Sequence, residues 1–199
     1  MSRADPLPPD QRRSAIITAV IPLLARRGAA VTTREMAEAA GVAEGTIFSV
    51  FEDKTALIRS ALATAMDPAP VVKALSEIHD GAPIEVQLAE AARILLERLE
   101  VFFSLAPLVR SLPISPAHMA EGQSRMAAAS SAINIALTTL FERYAGRLRL
   151  TPATAAAVFA GLVSARGISW TDLGQRLGVA EMVDTFLFGV AEPSRVGGD

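Results

Sequence analysis

Thr32-Thr33-Arg34-Glu35 brings hydroxyls, a cation and a carboxylate to the start of a short apolar-periodic segment within Val31–Ile58. A threonine hydroxyl there can accept a backbone N–H while Glu35 reaches back, the reciprocal pattern that opens a helix. Met36, Ala37 and Ala40 then share one helical face. Gly41 ends the segment, because a left-handed backbone costs glycine nothing. Val42 plugs the turn, and Ala43 to Phe51 is predicted as a second short helix, with Ile47 and either Val50 or Phe51 facing inward. Two short helices joined by a Gly turn are a helix-turn-helix, whose second helix can enter a DNA major groove. The chemistry on offer is Arg to a guanine edge, and hydroxyls or Lys to phosphate.

Other chemistries find less support in the 199 residues. Cysteine is absent, which removes disulfides, thiol nucleophiles and Cys-ligated metals. His79 and His118 are the only histidines and lack metal-ligand partners at helical spacing. There is no nucleophile elbow, phosphate loop, dinucleotide fingerprint or evident carboxylate pair, so no enzyme, metal or cofactor is expected. The net charge of −2 argues against nucleic-acid binding over the whole surface, although residues 1–66 are net +1. Met1 to Gln11 is polar and proline-rich, unlike a secretory signal. The uncharged stretches Met126–Phe141 and Leu150–Ala165 fall short of the ~20 apolar residues of a bilayer span. A cytoplasmic chain without membrane spans is therefore expected.

The elements that must position the motif are all helical. The composition is 51% hydrophobic, much of it alanine, and no strict alternation suggests strands. Residues 1–9 read as a disordered arm. A first helix is expected over Asp10–Arg27, kinked at Pro22, and a fourth begins near Asp53, which can cap Lys54–Met66. A short helix over Val71–His79 precedes one opening at Pro83 and running to about Leu105. Pro107, Pro113 and Pro116 are expected to break the chain, and Ala117–Leu148 to form one long or bent helix. Thr151-Pro152 caps and opens a helix to about Ala165; Gly167–Gly178 reads as a loop or broken helix; Ala180–Val190 carries a last apolar stripe. The predicted fold is all-α: a three-helix head over residues 10–53, and a helical body over 54–199 with the fourth helix as connector.

The residues TTREMAEAAGV, EGTIF and DKTALI, after a first helix ending at Gly28, resemble the TetR family of bacterial transcription regulators. The resemblance covers roughly the first third of the chain. It implies a homodimer with a small DNA-binding head and a larger body that binds a small molecule and dimerises through its last two long helices. Carried over residue by residue, it implies that Thr33, Arg34, Glu44, Gly45, Thr46, Phe48, Ser49 and Lys54 face operator DNA. Thr33 and Lys54 would meet phosphate; Arg34 would meet phosphate or guanine. Three positions depart from the pattern: Phe48 stands where tyrosine is usual, Val50 where Tyr or His is frequent, and Ala43 where Ser or Thr caps the recognition helix. Glu44 would either accept from a cytosine amino group or repel phosphate.

Phe102, Phe103, His118, Met119, Gln123, Met126, Asn134 and Phe159 are the candidate walls and polar handles of a pocket for a small hydrophobic effector, with plain core as the alternative for the aromatics. Asn134 lies in an uncharged run, where a buried amide must find a partner. Phe159, Leu162, Met182, Phe186, Leu187 and Val190 are the candidate dimerisation residues. Arg12 and Arg13 are either arm contacts to DNA or a solvated pair. The function expected is a ligand-released repressor on a palindromic operator. The alternatives are an adaptor with weakened DNA binding, and an enzyme on the same scaffold.

Overall fold

In a computed structural model, residues 8–112, 115–167 and 177–189 are described, and among them regular structure is helical throughout. We number the helices α1 (Pro9–Arg27), α2 (Thr33–Ala40), α3 (Glu44–Val50), α4 (Lys54–Ala65), α5 (Ala69–Ser76), α6 (Ile84–Ser111), α7 (Pro116–Glu142), α8 (Pro152–Gly167) and α9 (Val179–Phe188). Short 3-10 turns at Gly28–Ala30 and Ala145–Arg147 follow α1 and α7. The chain divides into two compact units: residues 1–67 with 101–129, and residues 68–100 with 130–199.

The first unit is built on α1, against which α2, α3 and α4 pack. Ile16, Val20 and Leu24 recur at four-residue spacing and are essentially solvent-free. Val31, Met36, Ala37, Ile47, Phe51, Leu57, Ile58 and Ala61 close the same core, together with Leu105 and Leu108 of α6. α1 continues through Pro22, whose ring lies on the exposed side of the helix. The expected boundary at residue 53 does not coincide with this unit, because α4 buries Leu57, Ile58 and Ala61 in the head core.

In the second unit, Leu88, Ala91, Ala92 and Leu95 of α6 meet Leu137, Leu140 and Phe141 of α7, Ala155, Ala156, Phe159 and Val163 of α8, and Met182 and Val183 of α9. Phe141, Phe159 and Phe186 pack mutually, with ring centroids 5.2–5.8 Å apart. Gln87 is buried and satisfied: its amide nitrogen donates to the carbonyls of Asp80 (3.1 Å) and Ala82 (2.8 Å), and its oxygen accepts from Arg143 (3.3 Å). Arg143 also donates to the Ile78 carbonyl and pairs with Asp80, so it ties the turn before α6 to the end of α7. Thr151 caps α8 as expected, its hydroxyl accepting from Thr154 N–H at 3.2 Å.

Two expected boundaries are corrected. α6 does not stop near Leu105; it runs through Pro107 to Ser111. Pro107 is exposed while Leu105 and Leu108 are buried, so the lost backbone bond falls on the solvent side and burial holds the turn. α7 ends at Glu142 rather than Leu148, where a 3-10 turn tightens the chain. The segment expected to be broken by Pro107, Pro113 and Pro116 is therefore helical up to Ser111, and residues 113–114 lie outside the described set. So do residues 168–176, within the stretch read as a loop or broken helix, and Val190.

Candidate nucleic-acid interface

Helix α2, which leads into the turn before α3, is capped at both ends. Thr32 Oγ1 accepts from Glu35 N–H at 3.2 Å, and Glu35 Oε2 accepts from Thr32 N–H at 2.8 Å, a complete capping box. These bonds with Thr32, reinforced by a pair with Arg27, hold the Glu35 carboxyl below its ordinary pKa. At the other end Gly41 sits at φ 66°, and Val42 N–H reaches back to the Ala37 carbonyl at 3.0 Å. Ala43 gives α3 no side-chain cap, as its residue type dictates.

α3 is anchored through Ile47, which is fully buried, and its C-terminal neighbour Phe51. Its outer positions Glu44, Gly45, Phe48 and Ser49 are exposed, Phe48 to 54%. Thr33 and Thr46 are half-buried at the helix starts. Ser49 Oγ donates back to the Thr46 carbonyl at 2.8 Å. The motif residues are thus brought to one short stretch of the head, with apolar positions inward and polar or aromatic ones outward.

The cations are arranged differently from a row of free contacts. Arg34 pairs with Glu38 at 3.0 Å, one helical turn on, with both side chains largely exposed. Lys54 Nζ donates to the Ala29 carbonyl at 2.9 Å, which fastens the start of α4 to the turn after α1. Arg13 is exposed yet engaged within the head. Its guanidinium donates to the Val50 carbonyl (3.0 Å) and Ser60 Oγ (3.0 Å) and lies 4.4 Å from the Phe51 ring centre. It therefore caps the end of α3 and joins it to α1 and α4. Sequence reasoning missed this role because its partners lie 37 and 47 residues away, beyond any helical periodicity.

The expected ligand residues divide between the units. Phe102 and Phe103 touch edge to face at 5.4 Å, and His118, Met119, Gln123 and Met126 are all exposed along α7. His118 is held by Ser115 Oγ (2.8 Å) and by Arg59 of α4 (3.3 Å). In the second unit Asn134 is exposed, so the buried amide expected there does not exist; the uncharged run around it lies partly on an open helix face. Phe159 and Met182 are fully enclosed within the chain, so neither offers surface to a partner. Leu162, Phe186 and Leu187 are half-buried. A cavity of about 390 Å³ opens between α5, the turn after it and α6, lined by Glu77, Ile78, His79, Val86, Gln87 and Glu90 among others; none of the ligand candidates lines it. Among the described residues no group of three or more His, Asp or Glu could hold a metal, and no helix is long and apolar enough to cross a membrane.

Residues 16–61 match the model for bacterial regulatory proteins of the tetR family. By sequence, no curated protein matches the chain. Among solved structures, the TetR transcriptional regulator SCO0520 of Streptomyces coelicolor aligns over 89% of this chain and 97% of its own, at 21% identity and a TM-score of 0.61. FadR of Bacillus subtilis, solved with stearoyl-CoA, aligns over 89% and 99% at 17% identity and 0.58. LfrR of Mycobacterium smegmatis, solved with proflavine, aligns over 92% and 98% at 19% identity and 0.57. At these identities the likeness is one of fold, and the residue-level evidence is in the head. The likeness to the tetR family of bacterial regulatory proteins is carried by the head sequence, residues 16–61, and by the helical fold.

Proposed function

We propose that the chain is a repressor that binds a palindromic operator as a homodimer and is released by a small hydrophobic molecule. The observation that carries the DNA-binding part is α3: seven residues anchored by Ile47 behind the Gly41 turn of a doubly capped α2, with Glu44, Gly45, Phe48 and Ser49 left outward. A buried anchor and an outward face on a rigid turn are what insertion into a major groove requires. Arg34 and Thr33 at the start of α2, with Thr46 at the start of α3, would supply the positioning contacts. Lys54 would reach phosphate only by leaving the Ala29 carbonyl.

For dimerisation, the outward face of α8 offers Ala153, Ala157, Val158 and Gly161, small or apolar and exposed. Such a face allows close helix approach, while Leu162, Phe186 and Leu187 are partly available beside it. Phe159 and Met182 would shape that face from beneath rather than touch the partner. Support for an apolar effector comes from FadR with stearoyl-CoA and LfrR with proflavine, ligands that carry an acyl chain and an aromatic ring system respectively.

Selection of genomic fragments by the purified full-length protein, followed by binding titrations over a range of salt, tests the reading. Specific fragments with inverted half-sites, bound with an affinity that falls as salt rises, are expected. Retention of no fragment above background would overturn it and leave the adaptor. Effectors are then compounds that raise the melting temperature and weaken operator binding.

A further inference from the structure

Among the described helices of the head, α3 is unusual in its donors. Its sequence, Glu44 to Val50, holds no Lys, Arg, His, Asn or Gln. Guanine is read in the major groove by donors to O6 and N7, and adenine by a paired donor and acceptor at N6 and N7. α3 has neither. Its Ser49 hydroxyl is directed to the Thr46 carbonyl, and Thr46 is half-buried. Beside Gly45 and the Ser49 hydroxyl so engaged, the outward side chains are one carboxylate, Glu44, and one aromatic ring, Phe48 at 54% exposure. They stand four residues apart in a regular helix, so they share a face.

We propose that Glu44 and Phe48 make α3 a reader of pyrimidines: Glu44 accepts from the N4 amino group of a cytosine, and Phe48 covers the C5-methyl group of a thymine. Both are the contacts these side-chain types can make in a major groove. A carboxylate also disfavours every base edge that presents only acceptors, so Glu44 selects by repulsion as well as attraction. One turn of helix separates the two side chains by about 6 Å along the axis. The stacking distance of bases is about 3.4 Å. The cytosine and thymine therefore lie within about two base pairs of each other in each half-site. Phe48 needs no rearrangement for this role, because its ring is already exposed and Ile47 beside it holds the helix.

The inference rests on the DNA-binding reading, and the experiment separates the two. Full-length protein is first used to select an operator. Each thymine of a half-site is then replaced singly by deoxyuridine, which removes only the methyl group. One thymine is expected to lose about fourfold in affinity per half-site, the worth of one buried methyl-sized group. Phe48→Ala should lower affinity for the thymine operator to that of the uracil operator and abolish the difference between them. Replacing the neighbouring C·G pair by T·A should weaken the parent about tenfold and leave Glu44→Ala indifferent. Salt-dependent, sequence-specific binding with no uracil effect, or with one that persists in Phe48→Ala, overturns this inference and leaves the regulator reading intact. Absence of specific binding by the parent overturns both.

Discussion

Replacing Arg13 by alanine should loosen the recognition helix without touching DNA. The guanidinium gives one hydrogen bond to the last carbonyl of α3, one to Ser60, and a cation–π contact with Phe51 at 4.4 Å. A charged hydrogen bond contributes ~1.5–3 kcal/mol when shielded and about half that when exposed, as Arg13 is. The cation–π contact adds ~0.5–1 kcal/mol. Allowing for non-additivity within one side chain, about 2 kcal/mol is expected. Hydrogen exchange of the full-length protein is the suitable assay, because it reads local opening rather than the unfolding of both units. Amides of α3 should lose protection by about thirtyfold, since ~1.4 kcal/mol is a factor of ten. Amides of α8 and α9 should be unaffected. Arg13→Lys should recover part of the loss, because an ammonium keeps the charge but not the planar two-pronged geometry. Unchanged α3 protection in Arg13→Ala would refute the claim that this residue braces the helix.

Three further outcomes follow from the geometry. Glu35→Gln should destabilise the head at neutral pH; because the folded carboxyl titrates below its ordinary value, the difference from the parent persists above about pH 4.3 and shrinks as pH falls through the lower folded pKa, as urea denaturation followed across that range would register. Phe159→Ala should cost ~3–5 kcal/mol by opening a cavity among Phe141, Phe186 and Met182, measured as a fall in the denaturation midpoint; a change under ~1 kcal/mol would mean that the ring is not a core residue. Gly161→Glu on the exposed face of α8 should convert a sedimenting dimer to monomer with the helical signal unchanged, whereas a persistent dimer would move the interface elsewhere.

The head was legible because its signals are local. Thr32, Glu35, Gly41 and Asp53 act within three or four residues of themselves. The capping box, the left-handed glycine and the Asp53 cap, which accepts from Ala56 N–H at 2.6 Å, stand where the residue types place them. The body was less legible because alanine carries little transfer energy, so Ala-rich α7 has no strong periodicity to mark its inner face. That is why Asn134 reads as buried and is not, and why Met119 and Met126 read as pocket walls and are open. Pro107 misleads for a related reason: the hydrogen bond a proline removes from a helix can be offset by burial on the opposite side, here that of Leu105 and Leu108. Arg13, Lys54 and the Gln87–Arg143 network escape because their partners lie far along the chain.

The pairing of the head's cations has a consequence for the search that precedes recognition. Arg34 is offset by Glu38 and Arg27 by Glu35; Arg13 and Lys54 keep their charge on the carbonyls that hold them, yet residues 1–66 are net only +1. Long-range attraction to a polyanion scales with uncompensated charge. On the DNA-binding reading proposed above, such a head would approach DNA at close to the unsteered rate of ~10⁵–10⁶ M⁻¹s⁻¹. It also dwells only briefly on random sequence, where sliding depends on the same phosphate attraction. The time needed to find an operator is then set by repeated three-dimensional encounters rather than by travel along the duplex, and more copies of the protein shorten it in direct proportion.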